Sequence, residues 1–213
     1  GTGSVATNYL RVGQGGSSAS TGVINLGDGT VGGNLTITAS LDIKNGAALT
    51  IYFNGGTFTT TGAQNTLGGT LVVKSGGAIF NVAGSSWAIS SNLTDGTGGG
   101  GLTKNGSGTL TLSGAGNTYT GTTTVNAGTL QIGTGGNGSL AQSSNTIVNN
   151  ANLVYSMDLT NTGTASLASS ITGTGNLTAT GRLVNINGNI TQSGNVTLTG
   201  SNVLGGSSFI SGV

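Results

Sequence analysis

A short phrase, Gly-Thr-Leu, recurs in this chain at a nearly constant interval. It occurs at Gly108-Thr109-Leu110 and again at Gly128-Thr129-Leu130, 20 residues further on. An earlier copy, Gly69-Thr70-Leu71, precedes the copy at Gly108 by 39 residues, close to two such steps. A phrase that returns in this way predicts the coils of a solenoid stacked on one another, with about 20 residues in each coil.

Between these phrases, apolar residues alternate with Thr, Asn and other small polar residues. Leu35-Thr36-Ile37 and Leu49-Thr50-Ile51 are two examples. A period of two predicts short strands with one buried face and one hydroxyl-rich face. No segment shows a helical period of useful length, and the many Gly and β-branched residues also argue against helix.

The predicted fold class is therefore all-β. We expect residues 1–213 to form one single-stranded parallel β-helix of about ten coils. An antiparallel β-sandwich is the alternative, because it has short strands at similar intervals.

The near absence of charge fits the solenoid. Charged residues make up 4% of the chain, against about 25% in typical globular proteins. Parallel coils place like residues directly above like residues, so columns of one charge would repel.

A net charge of +1 gives no basic field to attract nucleic acid. No apolar run approaches the roughly 18 residues of a membrane-spanning helix, so membrane insertion is not expected.

Turn residues are frequent, as tight corners require. Gly and Asn accept the left-handed backbone conformation, and Asn is also suited to stacking through its amide. Asp28-Gly29 and Asp95-Gly96 predict turns. The glycine-rich run 96–101 predicts a loop or an internal boundary.

Residues 102–132 carry a longer pattern, LTKNGSGTLTLSGAGNTYTGTTTVNAGTLQI. This segment resembles the passenger-associated transport repeat, also called the autotransporter-associated β-strand repeat. The resemblance implies a parallel β-helix that is displayed on a bacterial surface or secreted from it. It also implies a structural role, without catalytic residues to carry over. The residues that match include Leu102, Lys104, Gly106, Gly108, Asn117, Tyr119, Gly121, Val125 and Gly128.

Few residues of the chain are suited to catalysis or metal binding. His, Cys and Glu are absent, which excludes an ordinary hydrolase triad and thiolate metal sites. A glycosidase needs two carboxylates on either side of one bond. We therefore expect no enzyme, no cofactor and no metal. A polysaccharide-active enzyme remains a third alternative, which would require two Asp residues to face each other in a groove. The carboxylates of the chain are Asp28, Asp42, Asp95 and Asp158.

Three lysines, Lys44, Lys74 and Lys104, follow one another at intervals of 30 residues. One interpretation is a cationic ladder along the solenoid. The other places each lysine at a solvated corner, and it is favoured because stacked like charges would repel.

Three aromatic residues are candidates for binding a glycan. Trp87, Tyr52 and Tyr119 have rings that can stack on sugars. Packing in the core or at a corner is the simpler alternative.

Both ends of the chain combine apolar residues with few charges, although a solenoid needs its open edges covered. This predicts either that the chain continues in a longer protein or that copies of it assemble head to tail. The candidate interface comprises Val5, Tyr9, Leu10, Val12, Val203, Leu204, Phe209 and Ile210.

Taken together, these patterns predict an extracellular or cell-surface structural solenoid, acting as a stalk or a self-assembled fibre. Its expected partners are further copies of itself or neighbouring segments of a longer chain. The alternative is an adhesin-type passenger segment that binds a host surface or a glycan.

Overall fold

The computed structural model describes residues 3–12, 21–43, 48–62, 65–135, 146–156, 165–181, 184–200 and 203–204. The described residues form β-strands and their connections, and no helix long and apolar enough to cross a membrane is found among them. In chain order the strands are β1 (Ser4–Val12), β2 (Thr21–Leu26), β3 (Asn34–Ile43), β4 (Ala48–Phe53), β5 (Thr57–Thr60), β6 (Asn65–Leu67), β7 (Thr70–Val73), β8 (Ala78–Val82), β9 (Ser86–Ile89), β10 (Leu93–Asp95), β11 (Leu102–Asn105), β12 (Thr109–Leu112), β13 (Thr123–Val125), β14 (Thr129–Ile132), β15 (Ile147–Asn149), β16 (Asn152–Ser156), β17 (Ala165–Leu167), β18 (Ile171–Gly173), β19 (Asn176–Gly181), β20 (Val184–Ile186), β21 (Ile190–Gln192), β22 (Val196–Gly200) and β23 (Val203–Leu204).

These strands stack into four sheets. Sheet A has nine strands in the order β1-β3-β5-β8-β11-β13-β15-β18-β21, and sheet C has seven in the order β6-β9-β12-β14-β16-β19-β22. Sheet B (β2-β4-β7-β10) and sheet D (β17-β20-β23) are shorter. Every described strand pair is parallel. The predicted parallel β-solenoid is therefore confirmed, and the antiparallel sandwich is excluded.

The number of coils differs from the prediction. The described chain makes fewer coils than the predicted ten, since sheet A, which takes one strand from each coil, has nine strands. The coils are unequal in length, since Ser4 pairs with Asn34, 30 positions on, whereas Ile171 pairs with Ile190, 19 positions on. Both the strands, which range from two to ten residues, and the connections between them vary in length.

The 20-residue step is one real coil of the stack. Thr109 of β12 pairs with Thr129 of β14 in sheet C. The earlier phrase, however, belongs to a different sheet, since Thr70 lies on β7 of sheet B. The residue stacked below Thr109 is Ser86. The 39-residue interval therefore does not measure two coils, contrary to the prediction.

Inward-facing residues form continuous columns. In sheet C, Trp87 is followed in successive coils by four buried leucines, Leu110, Leu130, Leu153 and Leu177. Each such side chain contributes about 1.5–3 kcal/mol on burial. The earlier coils bury a cluster of aromatic rings, with centroids 5.1 Å apart for Phe53 and Phe80, 5.7 Å for Phe58 and Phe80, and 5.6 Å for Phe58 and Trp87.

Asn side chains join successive coils at the corners, as predicted. Asn126 donates from Nδ2 to Asn105 Oδ1 at 3.0 Å, and Asn176 donates to Asn152 Oδ1 at 3.2 Å. The Asn54 carboxamide oxygen instead accepts from the main-chain N–H of the next coil, at 3.0 Å. The bond to Asn54 also satisfies a main-chain N–H that the strand ladders leave unpaired.

The glycine-rich loop 96–101 connects β10 to β11 within the stack. Gly98 and Gly99 have φ values of +89° and +53°, and a Cβ at Gly100 would lie 1.9 Å from the Lys74 carbonyl oxygen. Successive coils therefore approach so closely here that a side chain has no room.

Candidate functional site

The most unusual group in the described core is a lysine of the repeat segment. The alternation of β11 directs Leu102 and Lys104 inward and Thr103 outward. Lys104 stacks between Phe80 of the preceding coil and Val125 of the following one, and its side chain is 0% exposed. A lysine is almost never fully buried unless its charge is compensated.

Three main-chain carbonyl oxygens provide that compensation. The Lys104 ammonium donates to Asn105 O at 2.9 Å, Gly106 O at 2.8 Å and Ala127 O at 3.1 Å. The first two belong to the corner after β11 and the third to the corner above it. The side chain therefore bonds two successive coils to each other.

Burial lowers the pKa of Lys104 from 10.5 to about 8. The group therefore carries its charge at neutral pH. The prediction of a solvated corner was wrong for Lys104, because the period of the strand places it on the inward face.

The other two lysines of the 30-residue series differ from Lys104. Lys74 is half-buried, and its ammonium lies 4.4 Å from the centroid of the Tyr52 ring. Lys44 lies outside the described residues. The equal spacing in the sequence does not place Lys74 and Lys104 in equivalent environments, since only Lys104 belongs to the core.

Two more buried residues of the repeat are hydrogen-bonded to each other. The Tyr119 and Thr123 hydroxyl oxygens are 2.7 Å apart and both side chains are 0% exposed. Burial raises the pKa of Tyr119 and the bond to Thr123 opposes this shift only in part. Nearby, the carboxamide oxygen of Asn117 accepts from Leu93 N at 2.8 Å. These contacts attach the connection between β12 and β13 to its neighbours.

The aromatic residues proposed for sugar stacking are not brought together. Trp87 is 3% exposed and packs edge-on against Phe58, while Tyr119 is fully buried. Neither ring presents a face to a ligand, so core packing accounts for both. Tyr52 is half-buried on the outward side of sheet B, next to Lys74.

The described carboxylates do not form a catalytic pair. Asp28 is exposed in a turn, where bonds from Val31 N, Thr30 N and the Thr30 hydroxyl lower its pKa to about 2. Asp95 accepts from Thr120 at 3.0 and 2.7 Å. These turns lie three strands apart in sheet B, about 14 Å at the spacing of a sheet, which exceeds what a glycosidase pair uses.

Asp42 lies on β3, but its side chain is not among those described. Asp158 lies outside the described residues. The described residues contain no cluster of three groups able to hold a metal ion.

Among the described residues, no strand covers the core below β1 and β2, which are terminal strands of sheets A and B. Val5, Leu10, Ile24, Leu26 and Leu35 line an open cavity of about 470 Å³, which we call the N-terminal mouth. Val5 occupies an inward position of β1, yet it is 58% exposed because no described strand stacks below it. The other exposed large apolar residues of the described chain are Val23 at 62% and Val31 at 37%, and both belong to the same end.

The predicted assembly residues fall partly at this mouth. Val5 and Leu10 line it, whereas Tyr9 and Val12 lie on β1 with side chains outside the described residues. Val203 and Leu204 form β23, the last strand of sheet D. Phe209 and Ile210 lie outside the described residues.

A comparison with protein-family models matches one segment of the chain. The family model described as the passenger-associated-transport-repeat matches residues 102–132. This segment contains the Lys104 corner, the Tyr119–Thr123 bond and the 20-residue coil. Neither the curated proteins nor the solved structures give a match to this chain.

Proposed function

We propose that this chain is a non-enzymatic structural segment of an extracellular or cell-surface protein, in which the solenoid acts as a stalk. The observation that carries the proposal is the passenger-associated-transport-repeat at residues 102–132, which lies inside a continuous parallel stack. Its strands pair with coils on both sides, so the repeat and the rest of the described solenoid share one core.

The architecture supports a spacer role. The eight steps of sheet A correspond to a height of about 40 Å. A parallel stack grows along one axis, so each further coil adds length without changing the cross-section. The two described carboxylates are accounted for by turn bonds, which leaves catalysis without a candidate pair among the described residues.

Removal of one coil tests the stalk function. Deletion of residues 109–128 joins Gly108 to Thr129 and preserves register, because Thr129 stacks directly on Thr109. We expect a folded rod that is shorter by about 4.8 Å in small-angle scattering. Deletion of residues 109–118 is the matched control and should unfold the chain, because it removes half a coil. Equal damage from both deletions would contradict a modular stalk.

Localisation is tested separately. Antibodies against the chain should label intact producing cells or the culture medium. Labelling only after lysis would overturn the extracellular assignment.

A head-to-tail fibre is the second candidate, and the N-terminal mouth favours it. A second copy that places its last coil on β1 and β2 would cover Val5 and Val23 and would extend both sheets. Val196 and Leu198 of β22 are only partly buried, so the core is also incompletely covered at the other end. A contact of this heterologous kind propagates instead of closing.

Sedimentation velocity over a range of concentrations tests the fibre. Association should be lost in Val5→Lys and Val23→Lys and kept in Thr111→Lys, which changes an outward position in the middle of sheet C. A wild-type chain that stays monomeric at high concentration would exclude the fibre without affecting the stalk.

A further inference from the structure

The carbonyl oxygens around Lys104 form a site with the chemistry of a monovalent-cation site. Three oxygens, Asn105 O, Gly106 O and Ala127 O, surround one nitrogen at 2.8–3.1 Å. An ammonium group has three N–H donors and no acceptor, so these bonds use its full capacity. The positive charge is therefore stabilised by main-chain dipoles rather than by a carboxylate.

The main chain that carries these oxygens is constrained by glycines. Gly106 and Gly128 have φ values of +78° and +65°. A Cβ at Gly128 would lie 2.4 Å from Gly108 O and 2.5 Å from Gly106 O, so the two corners are in direct contact. This arrangement depends on residues that can adopt a left-handed conformation without a side chain. The oxygens are consequently positioned by the backbone and not by the lysine alone.

The same column provides buried donors to corner carbonyls in later coils. After Lys104 and Val125 the column continues with Asn149. A Cβ at Gly173 would lie 2.2 Å from Asn149 O, and Gly173 pairs with Gln192 in the next coil. Asn149 is fully buried and donates from Nδ2 to Asn176 O at 2.9 Å. Gln192 donates from Nε2 to Asn195 O at 3.4 Å. This corner therefore presents carbonyl oxygens to the interior repeatedly, and Lys104 is the one described position where the donor is charged.

We propose that the corner formed by residues 105–106 and 127 is a monovalent-cation cradle whose native occupant is the Lys104 ammonium. When the side chain is shortened, a free ammonium or potassium ion takes its place. Carbonyl oxygens are suitable ligands, because rings of them replace the hydration shell of K⁺ in selective channels. The role of Lys104 is then to supply a tethered cation, and its aliphatic stem fills the space between Phe80 and Val125.

Ion-dependent melting of two variants tests the cradle. Lys104→Ala empties the site, whereas Lys104→Met fills it with an apolar side chain of similar length. We expect the melting temperature of Lys104→Ala to rise by several degrees more in ammonium or potassium chloride than in choline chloride at equal ionic strength. Wild type and Lys104→Met should show no such difference. An identical response of the two variants, or equal stabilisation by choline, would overturn the proposal.

A measurement on the wild-type chain keeps the proposal testable if Lys104→Ala does not fold. With ¹⁵N-labelled lysine side chains, a hydrogen-bonded ammonium gives a signal that exchanges slowly with water. At pH 6 we expect one such signal, absent from Lys104→Met and retained in Lys74→Ala. If no lysine ammonium is protected from exchange, the cradle does not hold a cation.

Discussion

The phenol oxygen of Tyr119 lies 2.7 Å from the hydroxyl oxygen of Thr123, and both side chains are completely buried. This bond connects the loop after β12 to the start of β13, so it fixes this corner of the coil from the inside. Replacing one partner leaves the other buried without this bond, and that is more costly than replacing both.

The pair can be tested with a double-mutant cycle. Tyr119→Phe and Thr123→Val should each lower the free energy of unfolding by about 1–2 kcal/mol. The double variant should lose clearly less than the sum of the two single losses. Urea denaturation measures all three, and strictly additive losses would show that the two hydroxyls do not interact energetically.

A second prediction concerns a buried hydroxyl that lacks a hydrogen bond. Thr60 is 0% exposed, its Oγ1 has no partner, and it stacks between Ile37 and Val82. Thr60→Val removes the unsatisfied oxygen and keeps the shape, so we expect stabilisation by about 1–2 kcal/mol in urea denaturation. The control is Thr59→Val, on the outward face of the same strand, which should be nearly neutral. A loss of stability in Thr60→Val would mean that the hydroxyl is satisfied in solution.

The Lys104 ammonium predicts a specific dependence of stability on pH. Its pKa is about 8 in the folded chain, below the ordinary 10.5. Between these values the unfolded chain binds more protons than the folded one, so this group makes the free energy of unfolding rise with pH. Relative to Lys104→Met, wild type should therefore gain stability as the pH rises from 8 to 10.5, measured by urea denaturation at several pH values.

The comparison with Lys104→Met also removes the opposite effect of the buried tyrosines. Burial raises the pKa of both Tyr119 and Tyr155. Above pH 10 these tyrosines ionise in the unfolded chain but not in the folded one, so they lower the free energy of unfolding. If the stability of wild type fell relative to that of Lys104→Met between pH 8 and 10, the bonds to the carbonyl oxygens would raise the pKa of Lys104 more than burial lowers it.

A further prediction tests the close approach of successive coils. A Cβ at Gly121 would lie 2.4 Å from Gly101 N and 2.5 Å from Gly100 C, and main-chain atoms cannot move away as a side chain can. Gly121→Ala should therefore cost about 3 kcal/mol in thermal or urea unfolding. Gly3→Ala, where nothing lies within 4 Å of the added Cβ, should be neutral. If Gly121→Ala and Gly3→Ala changed the free energy of unfolding equally, successive coils at Gly121 would be further apart than described.

Much of the fold was predictable because the strands obey one simple rule. The alternation of Leu35-Thr36-Ile37 and similar segments identified strands and their buried faces. The number of coils was not predictable from one 20-residue interval, because the connections vary. The phrase at Gly69 shows why, since three residues recur on a different sheet without marking the same position in a coil.

The candidate site was only partly predictable, although a signal was present. Lys104 stands two residues after Leu102, and a period of two places both on the same face. Because lysine is usually exposed, its residue type predicted an outward position. The carbonyl oxygens that stabilise its charge include those of Gly106 and Ala127, which only the coiled backbone brings together. The N-terminal mouth likewise depends on three-dimensional stacking, because Val5 is exposed at a position that is inward by pattern.

The unequal coils have a consequence for how proteins of this shape can change. Coil length varies from 30 positions after Ser4 to 19 after Ile171, yet the strands above and below remain paired. Residues gained or lost in a connection therefore leave the height of the rod untouched, and only whole windings alter it. The length of the rod and the size of the connections on its surface can thus change independently in such a molecule.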